Sequence, residues 1–368
     1  LSGRSAEMAV DDEFMTPTIE QKRQCGAKIA IAQSAGQPTA AISLSALSVR
    51  RYNPPMVDAS SPWQSPVARL AFVALIAGAL SIAFSPIFVR LSELNPSVTA
   101  FWRPALAVPA LWLLMRVEGR NSAPRQARPK GRRDAALLAL AGFLFAGDLF
   151  FWHWSIQYTS IANSTLFANF APLFVALASW LIFGERFSRT FLAALGLGLI
   201  GAIVLMGDSL TIGLEHVFGD ALALVTALFY GGYIIVVGRL RARFSTAVLM
   251  TWTSLVTAVF LLPVAVFSGQ PMLPAGLAGW GILLGLSLVS HAGGQSLIAY
   301  ALAHLPAAFS SLSLLVQPAA AAVLAWAILG EPLSPLQAVG GSIILAAIVL
   351  ARRGTWPRPA PPAATPTA

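Results

Sequence analysis

The sequence predicts an all-α polytopic membrane protein whose ten transmembrane helices form two inverted five-helix repeats. Three observations predict it. The chain is 57% hydrophobic and only 11% charged, with a mean hydropathy of +0.72. A soluble domain carries roughly 25% charged residues, and a protein core cannot absorb so much apolar surface, whereas lipid can. Ten apolar runs reach the ~20 residues needed to cross ~30 Å of hydrocarbon. Finally, residues 162–185 (ANSTLFANFAPLFVALASWLIFGE) align without a gap on residues 308–331 (AFSSLSLLVQPAAAAVLAWAILGE). Ala162, Ser164, Leu166, Pro172, Ala176, Trp180, Ile182, Gly184 and Glu185 recur there as Ala308, Ser310, Leu312, Pro318, Ala322, Trp326, Ile328, Gly330 and Glu331, and Ser188 recurs as Ser334.

In chain order the spans fall near 68–89, 96–115, 135–157, 160–183, 190–207, 217–238, 246–267, 276–302, 306–329 and 335–351. Very short connections after the third and eighth spans require tight antiparallel hairpins. The two repeats occupy 66–210 and 211–352. Since each holds an odd number of spans, they run in opposite directions through the bilayer, which is the architecture of many secondary transporters.

Lys and Arg set the orientation. Arg116, Arg120, Arg125, Arg128, Lys130, Arg132 and Arg133 crowd the loop after span two. Arg186, Arg189, Arg239, Arg241, Arg243, Arg352, Arg353 and Arg358 lie on the same side, against Arg90 alone in the opposite loops. The positive-inside rule then puts both termini in the cytoplasm of a cell (inner) membrane protein. The net charge of +9 is spread over these short loops, so it reads as a topology signal and not as a nucleic-acid face. The single Cys25 excludes an intrachain disulfide and a Cys-based metal site. No phosphate-binding GxxxxGK[ST] loop occurs, which argues against ATP-driven transport by this chain alone. No cofactor and no metal are expected.

Residues 1–65 are rich in Ala, Ser, Pro and charge, without a span-length apolar run or a signal-peptide core, and are expected to be disordered. The chain begins at Leu1 with Met56 just ahead of the first span, as expected of a misplaced start or a fragment. The Pro/Ala-rich end, 353–368, is expected to be a disordered tail.

Two stretches carry a family resemblance. The first half supplies SPIFVRLSELNPSVTAFWRPALAVPALWLL, with an Arg early in the second span. The second half closes in QPAAAAVLAWAILGEPLSPLQAVGGSIILAAIVL. With ten spans in two inverted fives, the chain resembles the EamA-type members of the drug/metabolite transporter superfamily over about 66–352. The resemblance implies transport of small organic solutes, often export of amino acids or other metabolites, commonly coupled to protons. The second half departs from the first in having no basic residue opposite Arg103; Trp252 sits near that position.

Charge inside hydrocarbon costs several kcal/mol, so Arg103 and Asp148 are the most informative residues in the spans. Arg103 lies ~10 Å below the outer face and Asp148 ~15 Å below it, at 1.5 Å per residue. The expectation is an ion pair lining an outward-open cavity; the competing role is a structural pair that locks spans two and three. Phe151, Trp152 and Ser155 continue the Asp148 face. Thr165, Asn169 and Pro172 line span four, Thr226, Tyr230 and Tyr233 span six, Ser287, His291, Gly294 and Gln295 span eight, and Ser310, Ser313 and Gln317 span nine. Inverted repeats build their site at the midplane from such stripes, although for a single Ser or Thr interhelical packing is the commoner role. The candidates for solute or proton binding are Arg103, Asp148, Trp152, Asn169, Tyr230, His291, Gln295 and Gln317. His291, beside Gly293 and Gly294 where a helix can loosen, suits proton coupling or a structural hydrogen bond equally. His153 and His304 are expected at the membrane boundaries. Pro172 and Pro318 free mid-span carbonyls and are hinge candidates. Glu185 and Glu331 read as helix-end residues, and the Gly281–Gly285 GxxxG signals only close helix approach.

Two other classes compete. An intramembrane enzyme lacks its parts: Asp148 stands alone, and neither HExxH nor GxSxG occurs. A channel-like pore lacks a filter loop or a ring of charges. The reading is a secondary transporter for a small organic solute, an amino acid or related metabolite or an amphipathic amine, with export the expected direction, working by alternating access as a monomer or homodimer in lipid.

Overall fold

A computed structural model describes residues 65–121, 129–207, 210 and 213–355. All but the last residue of the expected N-terminal extension 1–65, and residues 356–368 of the expected tail 353–368, lie outside the described residues.

Among the described residues, ten helices are long and apolar enough to cross a membrane. They are α1 (Pro66–Leu91), α2 (Pro96–Glu118), α3 (Gly131–Ser155), α4 (Asn163–Phe183), α5 (Arg189–Met206), α6 (Leu214–Leu240), α7 (Thr246–Phe267), α8 (Leu277–Ala301), α9 (Ala307–Leu329) and α10 (Pro335–Gly354). The last helix thus runs two residues past the boundary drawn at 352. Helix starts follow from local chemistry. The side chains of Asn95, Ser160, Ser188, Ser245 and Ser334 each accept a hydrogen bond from a first-turn backbone N–H, and Ser334 forms a full capping box with Gln337.

Packing follows the internal repeat. α3 packs on α6 and α8 on α1; α4 packs on α6 and α9 on α1; α3 packs on α7 and α8 on α2. α5 and α10 pack on each other. Exchanging one half for the other reproduces this pattern. The α5–α10 contact needs glycine: a Cβ on Gly340 would sit 2.3 Å from the Leu205 backbone N, and one on Gly201 2.9 Å from Ile343 and Ile344. The core is aliphatic and aromatic, with Leu75, Phe145, Phe191, Tyr233 and Phe309 fully buried. The outer faces stay apolar, with Leu70, Val73, Leu181, Ile200 and Val349 exposed, as lipid contact requires.

Four spans are broken, each just before a proline, where the ring removes a donor and clashes with the preceding turn. The breaks fall at Phe84 before Pro86, at Leu106 before Pro109, at Asn169–Phe170 before Pro172 and at Leu314–Leu315 before Pro318. The two matched prolines therefore mark matched breaks in α4 and α9. Both of those spans also end alike. Gly184 and Gly330 adopt left-handed backbone (φ 67° and 70°), and the N–H groups of Glu185 and Glu331 return to the carbonyls of Ser179 and Ala325 at 3.1 and 3.4 Å.

Candidate functional site

Arg103 lies three residues before the break in α2, and its side chain is only 6% exposed. The Ser287 hydroxyl of α8 donates to the Arg103 backbone carbonyl at 2.8 Å. Among the described residues no hydrogen bond to the guanidinium is formed, and its buried Nε has no partner. Asp148 is half-buried on α3, and among the described residues none donates a hydrogen bond to it. The two interact electrostatically, but no nitrogen–oxygen approach within 4.0 Å joins them. The expected contact ion pair is therefore not formed. Depth along a span is legible in sequence at 1.5 Å per residue, but rotation about the axis is not. Here Arg103 is buried and Asp148 is half-buried.

The expected loosening of α8 takes a definite form. Residues Leu286–Gln295 are π-helical, a conformation concentrated at functional sites. The π segment is tied to three other spans. Besides Ser287 on α2, Ser290 donates to the Ser81 carbonyl of α1 at 2.9 Å, and His291 Nε2 lies 2.8 Å from Ser254 Oγ of α7. The His291 ring packs 5.3 Å from Phe145, which packs 4.7 Å from Tyr233. His291 Nδ1 and Gln295 Oε1 are buried without partners.

Tyr230 connects this region to α4 and α9. Its hydroxyl is close to the amides of Gln295 and Gln317 and within electrostatic reach of Asp148 and Arg103. The amides themselves are not at hydrogen-bond geometry, and Gln317 Nε2 stays unpartnered. Asn169, Pro172, Tyr230, Ser311 and Gln317 line a cavity of about 20 Å³, room for one water. Asn169 Nδ2 donates to its own helix at the Thr165 carbonyl, 2.7 Å away. Trp152 is half-buried and stands edge-on to His153, with centroids 4.8 Å apart.

The other polar stripes are mostly satisfied locally. Thr226 donates to the Leu222 carbonyl and Ser313 to the Phe309 carbonyl. Of the GxxxG pair, Gly285 meets Phe88, whereas Gly281 has nothing within 4 Å.

His153, two residues before the end of α3, is 1% exposed, so its ring is enclosed by protein. Its Nδ1 lies 2.7 Å from the Leu149 carbonyl, so Nδ1 carries the hydrogen and Nε2, which has no partner, is the acceptor. It also sits in the electrostatic field of Arg103. Sequence reasoning missed Ser254 and Phe145 as well. Phe145 lies three residues before Asp148 on the same helical face, and Ser254 extends the Thr251, Thr257 stripe at helical spacing, so both signals were present.

At the ends of the spans, Arg90 and Glu331 form an ion pair. Burial pushes the Glu185 carboxyl up, opposed by Arg239 and the Ser179 hydroxyl. Burial lowers Arg241, opposed by Glu118 and Tyr300. Arg241 Nε donates to the Ala299 carbonyl at 3.1 Å.

Ten apolar helices built as two repeats around unpaired polar groups define a multi-pass membrane transporter. The profile of the EamA-like transporter family matches residues 69–207 and 217–353, one match per repeat, and the chain belongs to that family. Its named relatives are transporters and not enzymes. The chain is 25% identical over 283 residues to the pseudopaline exporter CntI of Pseudomonas aeruginosa, covering 76% of this chain and 95% of the exporter. It is 28% identical over 235 residues to a probable terminal-alkyne amino-acid exporter of Streptantibioticus cattleyicolor, 63% of this chain and 77% of that protein. An uncharacterized transporter of Archaeoglobus fulgidus is 29% identical over 226 residues, 61% of this chain and 79% of that one. A crystal structure with 16% identity superposes with a TM-score of 0.65, covering 77% of this chain and 96% of that chain, and supports the fold.

Proposed function

We propose that the protein is a secondary transporter that exports a small organic solute bearing an amino group, an amino acid or related metabolite or an amphipathic amine, by alternating access. One observation carries this reading: Arg103 and Asp148 lie within electrostatic reach in the interior, unpaired with each other and without hydrogen bonds. Unpaired charge in a membrane interior is costly, and an entering solute of opposite polarity relieves that cost. An ammonium group meets Asp148 and a carboxylate meets Arg103. Two relatives are named as exporters, one of them of an amino acid, which supports both substrate class and direction. Protons are the coupling ion in this reading, with Asp148 as the titrating carboxylate. The basic face is cytoplasmic and both termini lie there, in a cell membrane.

Counterflow in proteoliposomes tests the transport reading. Saturable exchange of a labelled amino acid or amine, accelerated by unlabelled solute inside, is the expected result. Non-saturating flux without counterflow indicates a pore. Orientation is tested in a Cys25→Ala background: Gln270→Cys should react with an impermeant thiol reagent added outside intact cells, and Arg353→Cys should not.

A further inference from the structure

α1 and α6 open the two halves, and each ends on Arg-Leu: Arg90–Leu91 and Arg239–Leu240. α4 and α9 are the repeated pair, and each is followed by Gly-Glu: Gly184–Glu185 and Gly330–Glu331. α1 packs on α9 and α6 packs on α4, so each contact joins one half to the other. Odd-numbered spans end at one face and even-numbered spans at the opposite face. The Arg90–Glu331 pair therefore clamps the halves at one surface, and Arg239 with Glu185 stands at the equivalent place on the other.

The two places are not in the same state. Arg90 and Glu331 are in direct contact. Arg239 and Glu185 interact electrostatically but form no contact pair, and the Arg239 guanidinium lies instead 3.6 Å over the Phe183 ring. The Arg90–Glu331 pair is 59% and 42% exposed. Exposed pairs contribute little net stability, so such a clamp can open on every cycle without trapping the protein.

The geometry points to a reciprocal pair of gate clamps: Arg90–Glu331 holds the face away from the basic loops shut, and Arg239–Glu185 holds the basic face shut, one engaging as the other releases. This rests on the alternating-access reading. In an inverted repeat the second conformation is obtained by exchanging the local geometries of the two halves. The released Arg239–Glu185 arrangement then shows what Arg90–Glu331 becomes, and the reverse.

The test uses the full chain in a Cys25→Ala background, bridged by a short thiol-specific bifunctional reagent. One variant carries Arg90→Cys and Glu331→Cys, a second Glu185→Cys and Arg239→Cys, and a third all four. Either bridge alone is expected to form and to abolish solute counterflow, with recovery when a cleavable reagent is reduced. In the four-cysteine protein, each molecule is expected to carry one bridge and not both, read by mass spectrometry of the intact chain. Both bridges in one molecule, or wild-type counterflow through a singly bridged protein, overturns the gate. Bridge exclusivity is read without any solute. Loss of counterflow in every protein, wild type included, with exclusivity intact would therefore sink the transport reading and leave the reciprocal clamp standing.

Discussion

α4 and α9 share a proline break, a left-handed glycine end and a returning Glu N–H. α3 and α8 hold equivalent places in the two halves, yet differ in their middles. α3 is α-helical through Asp148, whereas α8 is π-helical from Leu286 to Gln295. Deep charge also falls on one side only. Arg103 and Asp148 belong to the first half; Tyr230, Tyr233, His291, Gln295 and Gln317 belong to the second. In the proposed cycle the frame that rocks is symmetric and the lining that recognises a solute is not. A hinge has to work equally from either face, while a solute with distinct ends needs distinct partners.

The sharpest way to break that comparison is to remove the charge asymmetry. Asp148→Asn keeps the shape and removes the ionisation. Gradient-driven flux should fall roughly tenfold or more, a factor of ten being ~1.4 kcal/mol, while the protein still inserts and keeps some exchange. Gln295→Leu, on the second half, should cost less. If the charges serve structure alone, Asp148→Asn strands Arg103 and expression falls instead, and Arg103→Gln with Asp148→Asn restores both folding and flux. Wild-type flux in that double variant would exclude either residue from coupling.

The symmetric frame can be broken at α5–α10. Gly340→Val forces a Cβ into the Leu205 backbone, 2.3 Å away. Overpacking costs about 1–3 kcal/mol, so the melting temperature in detergent should drop by several degrees or the protein should fail to accumulate. Gly196→Val meets nothing within 4 Å and should melt as wild type. Equal losses in both would show that glycine matters there for backbone freedom and not for approach.

Ser254→Ala probes how the π segment is held. It leaves His291 Nε2 buried and unpartnered, at a cost of roughly 1–3 kcal/mol. The expected outcome is a smaller drop in melting temperature than for Gly340→Val and a several-fold fall in flux. Unchanged flux would separate His291 from the transport cycle.

Much of the frame was legible in the sequence because a bilayer fixes span length and lysine and arginine mark one face. The ten spans and the matched prolines could be read off directly. The site was legible only as a set of residue types. Arg103 and Asp148 stood out because charge is rare in apolar runs, but their failure to pair depends on helix rotation, which hydropathy does not encode. Ser254 was hidden because a hydroxyl in a span is ordinarily a packing residue. The burial of His153 was not legible, because proximity to a helix end does not say which way the ring faces. The Gly293–Gly294 pair hinted at loosening, yet a ten-residue π segment depends on partners in α1, α2 and α7 that no local pattern reveals.

The smallest effect tests the frame at its edges. Trp180 and Trp326 are repeat equivalents, each three residues before the end of its span, and they are exposed to nearly the same degree, 56% and 55%. Because α4 and α9 end at opposite faces, the pair puts one indole near each membrane–water interface, where an apolar ring with one polar N–H is favoured. Both are more than half exposed, so Trp180→Leu and Trp326→Leu should each shift stability by no more than about 0.5 kcal/mol and leave counterflow intact. What matters is that the two shifts match. If Trp326→Leu destabilises the protein much more than Trp180→Leu, the two surfaces are not equivalent environments. The symmetry of the frame then stops short of the membrane interfaces.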